Sequence, residues 1–299
     1  MLKPKSKTLR GTRANAGLEA AYRKRLIKWI ELLHKSVMYW LSSAYNQNEP
    51  IMAQDGSNVS NRMGTSDNWH CGTSLRNIRR SSTSFQRIAQ DAVPAAELQK
   101  AVRKLSRRWN KNFKEAAPEL AKWFGTSVWK RSDRDLERIL KEGGFAVEFK
   151  LTKAQRDVLH ATINQNVSLI KSIPAQYLQK VEGMVMRSVQ VGGDLATLTK
   201  QLQKEFRLTK KRAKLIAHDQ TNKSNSVFTR VRYEELGITH AIWVHSHAGK
   251  HPRPKHLAFD GKKYDVRRGA PVGDKGQFVQ PGWEINCRCF SRAIVAGFS

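Results

Sequence analysis

The sequence predicts an α+β protein: mostly α-helical N-terminal and middle regions, then a small C-terminal α+β module containing a His/Cys cluster. Three observations predict it. Apolar residues recur at three- and four-residue spacing through much of the first 236 positions. After Gly237 the period changes to alternation. The last sixty residues gather five of the nine histidines and two of the three cysteines.

Residues 1–16 are basic, contain Pro and Gly, and are expected to form a loose arm. Leu18, Tyr22, Leu26, Trp29, Leu33, Val37 and Leu41 predict a helix over 18–45, with Lys and Arg on much of its other face. Residues 46–75 are rich in Asn, Ser and Gly without a period and are expected to be a long loop carrying Trp69-His70-Cys71. Leu98, Val102, Leu105, Trp109 and Phe113 predict a helix over 95–114. Pro118 is expected to open a short helix that Gly125 ends, and Ser132 to cap the next one. Phe145–Leu151 alternates and reads as a short strand or an extended connector. Thr152 is expected to cap a helix to about Lys171, Pro174 to start another that Gly192-Gly193 ends, and Asp194 to cap Leu195–Phe206. Thr209 is expected to cap a helix from Lys210 to Leu236, with Gly237 closing it in left-handed geometry. Ile238–Val244 and Phe290–Val295 read as strands, and Asp260-Gly261 as a hairpin turn before Tyr264 and Val266. The organisation expected is a basic helical region over 1–150 and a second region over 151–299. The second holds helices over 152–236 and the β-containing module over 238–299.

Charge bounds the partners. The chain has 299 residues and a formal net charge of +29. Residues 1–150 carry 29 basic against 14 acidic side chains and residues 201–299 carry 19 against 8, so the excess is not confined to a tail. Such a chain repels itself unless a polyanion neutralises it, and nucleic acid is the commonest one. No run of eighteen apolar residues is present, which excludes a helical membrane span, and the basic start has no apolar stretch behind it to make a secretory signal. Three cysteines fit a reducing compartment better than a disulfide framework.

The chemistry is concentrated near the end. His245, His247, His251 and His256 precede Asp260-Gly261, and Pro281-Gly282-Trp283-Glu284-Ile285-Asn286-Cys287-Arg288-Cys289 follows. Zinc takes four ligands from thiolate and imidazole. His247, His256, Cys287 and Cys289 are the candidate set for Zn2+, with His245 and His251 as substitutes. A compact turn braced by imidazole hydrogen bonds and a buried thiol pair is the alternative. Lys210, Lys211, Arg212 and Lys214 crowd the expected first turns of a helix, where the dipole favours phosphate. No Gly-rich phosphate loop, no ordered nucleophile triad and no flanking carboxylate pair argue for catalysis. A metal-dependent nuclease and a cellular nucleic-acid-binding protein remain the other classes.

Arg212-Ala213-Lys214-Leu215-Ile216-Ala217-His218-Asp219-Gln220, Gly237, Trp243, His256, Asp260-Gly261 and Pro281-Gly282 before Cys287-Arg288-Cys289 resemble the phage Mu F-like, or phage head morphogenesis, minor capsid proteins. The resemblance covers about residues 150–299. In place of that family's acidic, arginine-rich turn the chain has Ala248-Gly249-Lys250-His251-Pro252-Arg253. The resemblance implies a minor head protein of a tailed bacteriophage, located in the virion and, during assembly, in the host cytoplasm. Its implied partners are portal and coat or scaffold proteins, and DNA bound without sequence preference. No enzymatic activity is implied.

Overall fold

The computed structural model describes residues 5–46, 95–191, 195–249 and 251–298. Trp69-His70-Cys71, the rest of the expected loop beyond residue 46, Gly192-Gly193 and the Asp194 cap lie outside the described residues. The elements in order are β1 (Lys5–Thr8), α1 (Ala16–Asn46), α2 (Ala95–Glu142), α3 (Lys153–Gln190), α4 (Leu195–Glu235), β2 (His240–Val244), α5 (Pro254–Ala258), β3 (Lys263–Asp265) and β4 (Phe290–Phe298).

Four long helices carry most of the core. Tyr22, Ile30 and Val37 of α1, Phe113, Phe124 and Val128 of α2, Tyr177 and Val181 of α3, and Ala213, Ala217 and Phe228 of α4 pack in one cluster. A buried polar chain ties three of these helices together. Tyr22 Oη donates to Asn166 Oδ1 at 3.0 Å, and Asn166 Nδ2 donates to Gln220 Oε1 at 3.1 Å. Tyr22 also stacks on Phe124, centroids 4.1 Å apart. The polar run in α4 is thus bonded to its neighbours, as mid-helix polar residues must be when buried.

The helices run longer than sequence signals allow, and five expected boundary residues are corrected. Pro118 lies inside α2 and Pro174 inside α3. A proline costs a helix about 3 kcal/mol. Here the buried stripe runs unbroken past it, through Phe113, Ala117, Ala121 and Phe124, so tertiary packing outweighs the local cost. Gly125 does not end a helix either. A Cβ there would lie 3.1 Å from Ile163 and 3.3 Å from Leu159, so this glycine lets α3 approach α2 closely. Ser132 and Thr209 are interior and buried rather than caps; Ser132 Oγ donates to Asn225 Oδ1 at 2.9 Å. Thr152 does cap α3, accepting from Gln155 N at 3.1 Å. Gly237 has φ +68, the left-handed closure of α4. Residues 145–151 form no strand.

The sheet is antiparallel, in the order β1-β4-β2-β3. The expected N-terminal arm is corrected by β1, whose residues pair Lys7↔Val295 and Thr8↔Ile294. Four residues carry too little periodicity to announce a strand; their partner lies at the other end of the chain. Leu9 and the α2 residues Leu136, Ile139 and Leu140 share the second core cluster with Trp243, Tyr264, Val266 and Ala293. Residues from both sides of position 150 therefore build each of the two clusters.

Candidate functional site

The His/Cys region is assembled around β2 and the segment entering β4. Arg253 precedes α5, Pro254 opens its first turn, and His256 sits within it, 2% exposed. Cys287 and Cys289 are buried free thiols at 4% and 6% exposure. Both sulfurs turn to one ring nitrogen: Cys287 Sγ lies 3.5 Å and Cys289 Sγ 3.7 Å from His256 Nδ1. On the other side of the ring, His256 Nε2 lies 2.9 Å from Glu284 Oε2. Arg253 Nε stands 3.2 Å from the same carboxylate oxygen, and its Nη2 donates to Ile285 O at 3.0 Å. The Cys289 thiol hydrogen-bonded to Cys287 pushes the Cys287 pKa down to about 4, against the opposing effect of burial. The same bond, followed by burial, raises Cys289. One thiol of the pair therefore ionises well before the other.

The surrounding backbone holds this geometry. Asn286 adopts φ +62, and its N–H donates to Asp219 Oδ1 on α4 at 3.2 Å. Gly282 adopts φ +79, where a Cβ would come within 3.2 Å of Cys289 O and 3.4 Å of Asn222 O. The preceding Pro281 offers its carbonyl to Ser226 Oγ. The Pro-Gly pair thus brings the cysteine segment close against α4, where a side chain would be crowded and the positive φ would strain it. Trp243 of β2 closes the inner wall, its ring 5.1 Å from His256, 6.1 Å from Phe259 and 6.1 Å from Tyr264.

The structure brings together His256, Cys287 and Cys289, three buried residues whose ligand atoms lie within 4.8 Å of one another. It does not bring His247 to them. His247 has φ +53 and an exposed ring whose Nε2 is 2.9 Å from Asp260 Oδ2. His245 is buried beside the cluster, and its Nδ1 accepts from His247 N at 3.2 Å. Asp260 has more to do than shape a turn: its Oδ1 also accepts the His245 backbone N–H at 2.8 Å. Gly261 supplies the expected left-handed residue, φ +75, and donates to Trp243 O at 2.9 Å. Glu284 was not singled out by the sequence, although its place three residues before Cys287 was a usable signal.

Asp260 gives a pH prediction. Burial opposes its ionisation, but the His245 N–H and His247 bonds hold the carboxyl below its usual range. Its contribution to stability is present above about 3.9, the ordinary aspartate value, and is lost as pH falls through the lower folded value. Unfolding of the wild type and Asp260→Asn is expected to differ at neutral pH and to converge below about pH 4. A difference that persists undiminished at pH 2 would contradict this assignment.

The basic residues are redistributed. Lys210, Lys211, Arg212 and Lys214 lie well inside α4, not at its start, so the helix dipole lends them no anion preference. Lys210 Nζ pairs with Glu31 Oε1 at 2.7 Å, and Arg212 donates to Ser172 Oγ at 2.8 Å and Ser172 O at 3.3 Å. Lys211 and Lys214 are exposed. A denser patch lies on α2, where Lys100, Arg103, Lys104, Arg107 and Arg108 share an exposed face opposite buried Leu98, Val102, Leu105 and Trp109. Its signal, basic residues at three- and four-residue spacing, was present in the sequence.

Both thiols and His256 also line a cavity of about 720 Å³, together with His245, Arg253 and Arg288. No helix among the described residues is long and apolar enough to cross a membrane. Residues 179–292, from the second half of α3 into β4, match the family model described as Phage Mu protein F like protein. An uncharacterized protein of Haemophilus influenzae (strain ATCC 51907 / DSM 11121 / KW20 / Rd) is 37% identical over 124 residues, covering 42% of this chain and 26% of that protein. The NAD(+)–arginine ADP-ribosyltransferase EFV of Enterococcus faecalis (strain ATCC 700802 / V583) is 29% identical over 130 residues, covering 40% of this chain and 26% of that protein. The chain thus spans about a quarter of the length of these two curated relatives. No solved structure matches it. The matched segment contains Trp243, His256, Asp260-Gly261, Pro281-Gly282 and both clustered cysteines, so the similarity to the phage Mu protein F-like proteins spans the whole candidate site.

Proposed function

We propose that this chain is a minor head protein of a tailed bacteriophage. It acts near the portal in procapsid assembly and in DNA packaging or ejection. The match over residues 179–292 carries the reading, because it includes the whole candidate site. Contacts with portal and coat or scaffold proteins run through helical faces. DNA contact runs through distributed positive charge, for which the exposed basic face of α2 is the leading surface. The module's role in this reading is binding, not catalysis.

Mass spectrometry of purified particles and of procapsids tests the assignment. The chain is expected in one or both at low abundance, and its absence from both would overturn it. DNA retention is expected to ignore sequence and to weaken steeply with salt. Each phosphate contact contributes a slope of about −0.9 in log K against log salt. Changing Lys100, Arg103, Lys104 and Arg107 to Gln together is therefore expected to flatten that slope by roughly 3 to 4. Salt-independent or strongly sequence-selective binding would refute the DNA part. Plasmid cleavage that needs a divalent metal and disappears in His256→Ala would instead favour a nuclease.

A further inference from the structure

We infer that His256, Cys287 and Cys289 form a three-ligand site for one zinc ion, with Glu284 fixing the imidazole from behind. The distances argue first. Zinc–sulfur bonds of about 2.3 Å and zinc–nitrogen bonds of about 2.0–2.1 Å at a tetrahedral angle place sulfur and nitrogen roughly 3.5–3.6 Å apart. The two sulfur–Nδ1 separations are 3.5 and 3.7 Å. Convergence argues next. An imidazole nitrogen has one in-plane position for a hydrogen or a lone pair, so it forms one good hydrogen bond. Two sulfurs aimed at the same nitrogen are explained by an ion that all three ligate.

The remaining polar groups agree. A metal-bound histidine characteristically presents its other ring nitrogen to a carboxylate, which sets tautomer and orientation. Glu284 Oε2 lies 2.9 Å from His256 Nε2, off the line of a hydrogen bond, and is the carboxylate within reach of that place. Arg253, 3.2 Å from the same oxygen, balances the carboxylate's charge. Two thiolates neutralise a dication, which relieves the cost of burying a polar cluster beside Trp243. On binding, each thiol that is still protonated gives its proton to solvent. His247, held by Asp260, is not a ligand, and the three ligands share the wall of the 720 Å³ cavity. The fourth position is filled from that cavity, by water or by a group of an incoming molecule, as in zinc sites that keep an exchangeable ligand.

Native mass spectrometry of the full wild-type chain tests this without any variant. A mass increment of one zinc that a chelator removes is expected; a metal-free chain that also takes up no added zinc would overturn the proposal. Adding cobalt to the chelated chain is expected to give a thiolate-to-metal charge-transfer band. That band is expected to vanish in Cys287→Ser, Cys289→Ser and His256→Ala and to persist in His247→Ala and His245→Ala. Glu284→Gln is expected to keep the band with metal affinity about 10- to 100-fold weaker. Loss of the band in His245→Ala or His247→Ala would overturn the ligand set. The proposal stands apart from the virion assignment: particle composition does not bear on it, and metal content does not bear on the virion.

Discussion

Arg232→Ala is expected to destabilise the fold by about 3–5 kcal/mol, measured by chemical denaturation, because it leaves a buried carboxylate without its counter-ion. Arg232 is 2% exposed. Its Nε donates to Asp133 Oδ1 at 2.9 Å and its Nη2 to Asp133 Oδ2 at 2.6 Å, a two-pronged bond between α4 and α2. Nη1 donates to Glu235 Oε2 at 2.7 Å, and the guanidinium stands 4.4 Å from the Phe149 ring. The same fork thus joins two helices and the extended segment between α2 and α3. Such pairs bind through planar, bidentate geometry that a lysine does not reproduce. Arg232→Lys is therefore also expected to lose much of the stability. The combined Arg232→Ala, Asp133→Ala change is expected to cost clearly less than the sum of the single changes, since each single change strands the other partner. Strict additivity would show that the pair is not coupled and that the loss comes from packing.

Nothing local in the sequence announces this bridge. Arg232 and Asp133 are 99 positions apart, and each sits in an ordinary amphipathic pattern. What the sequence did reveal follows short-range physics. Apolar spacing located α1, both ends of the helical region and the strand after Gly237, because burial of one face dictates that spacing. Thr152 and Gly237 work as cap and closure because their conformations depend on immediate neighbours. Pro118, Pro174 and Gly125 misled because a bundle's lateral packing outweighs a local penalty of a few kcal/mol. β1 was invisible because its partner strand is at the far terminus. At the site, Cys287, Cys289 and His256 were legible as residue types suited to one another, while the choice of which histidines join the two thiols was not. That choice depends on the backbone between them, where His247 turns left-handed and meets Asp260. Lys210 and Arg212 were read as a helix start, and the continuity of α4 through them removed that reason.

Trp243→Ala is expected to cost about 3–5 kcal/mol, the range for truncating a buried aromatic side chain. Trp243 is fully buried, pairs with Ser291 in the β2–β4 ladder, and sets its ring edge-on to His256, Phe259 and Tyr264. Its carbonyl and amide also hold the return turn, accepting from Gly261 N at 2.9 Å and donating to Lys262 O at 2.9 Å. Removing the ring leaves the backbone bonds in place but takes away the wall that keeps α5, and with it His256, against the cysteine segment. Reaction of Cys287 and Cys289 with a thiol reagent, followed in a Cys71→Ser background, is therefore expected to speed up in Trp243→Ala far more than in a control of equal stability loss in the helical core, such as Tyr22→Ala. Trp243→Phe keeps an aromatic wall and is expected to retain slow labelling with a smaller stability loss. Equal labelling rates in Trp243→Ala and Tyr22→Ala would mean that the thiols open by global unfolding, and that the indole supports the sheet without positioning the site.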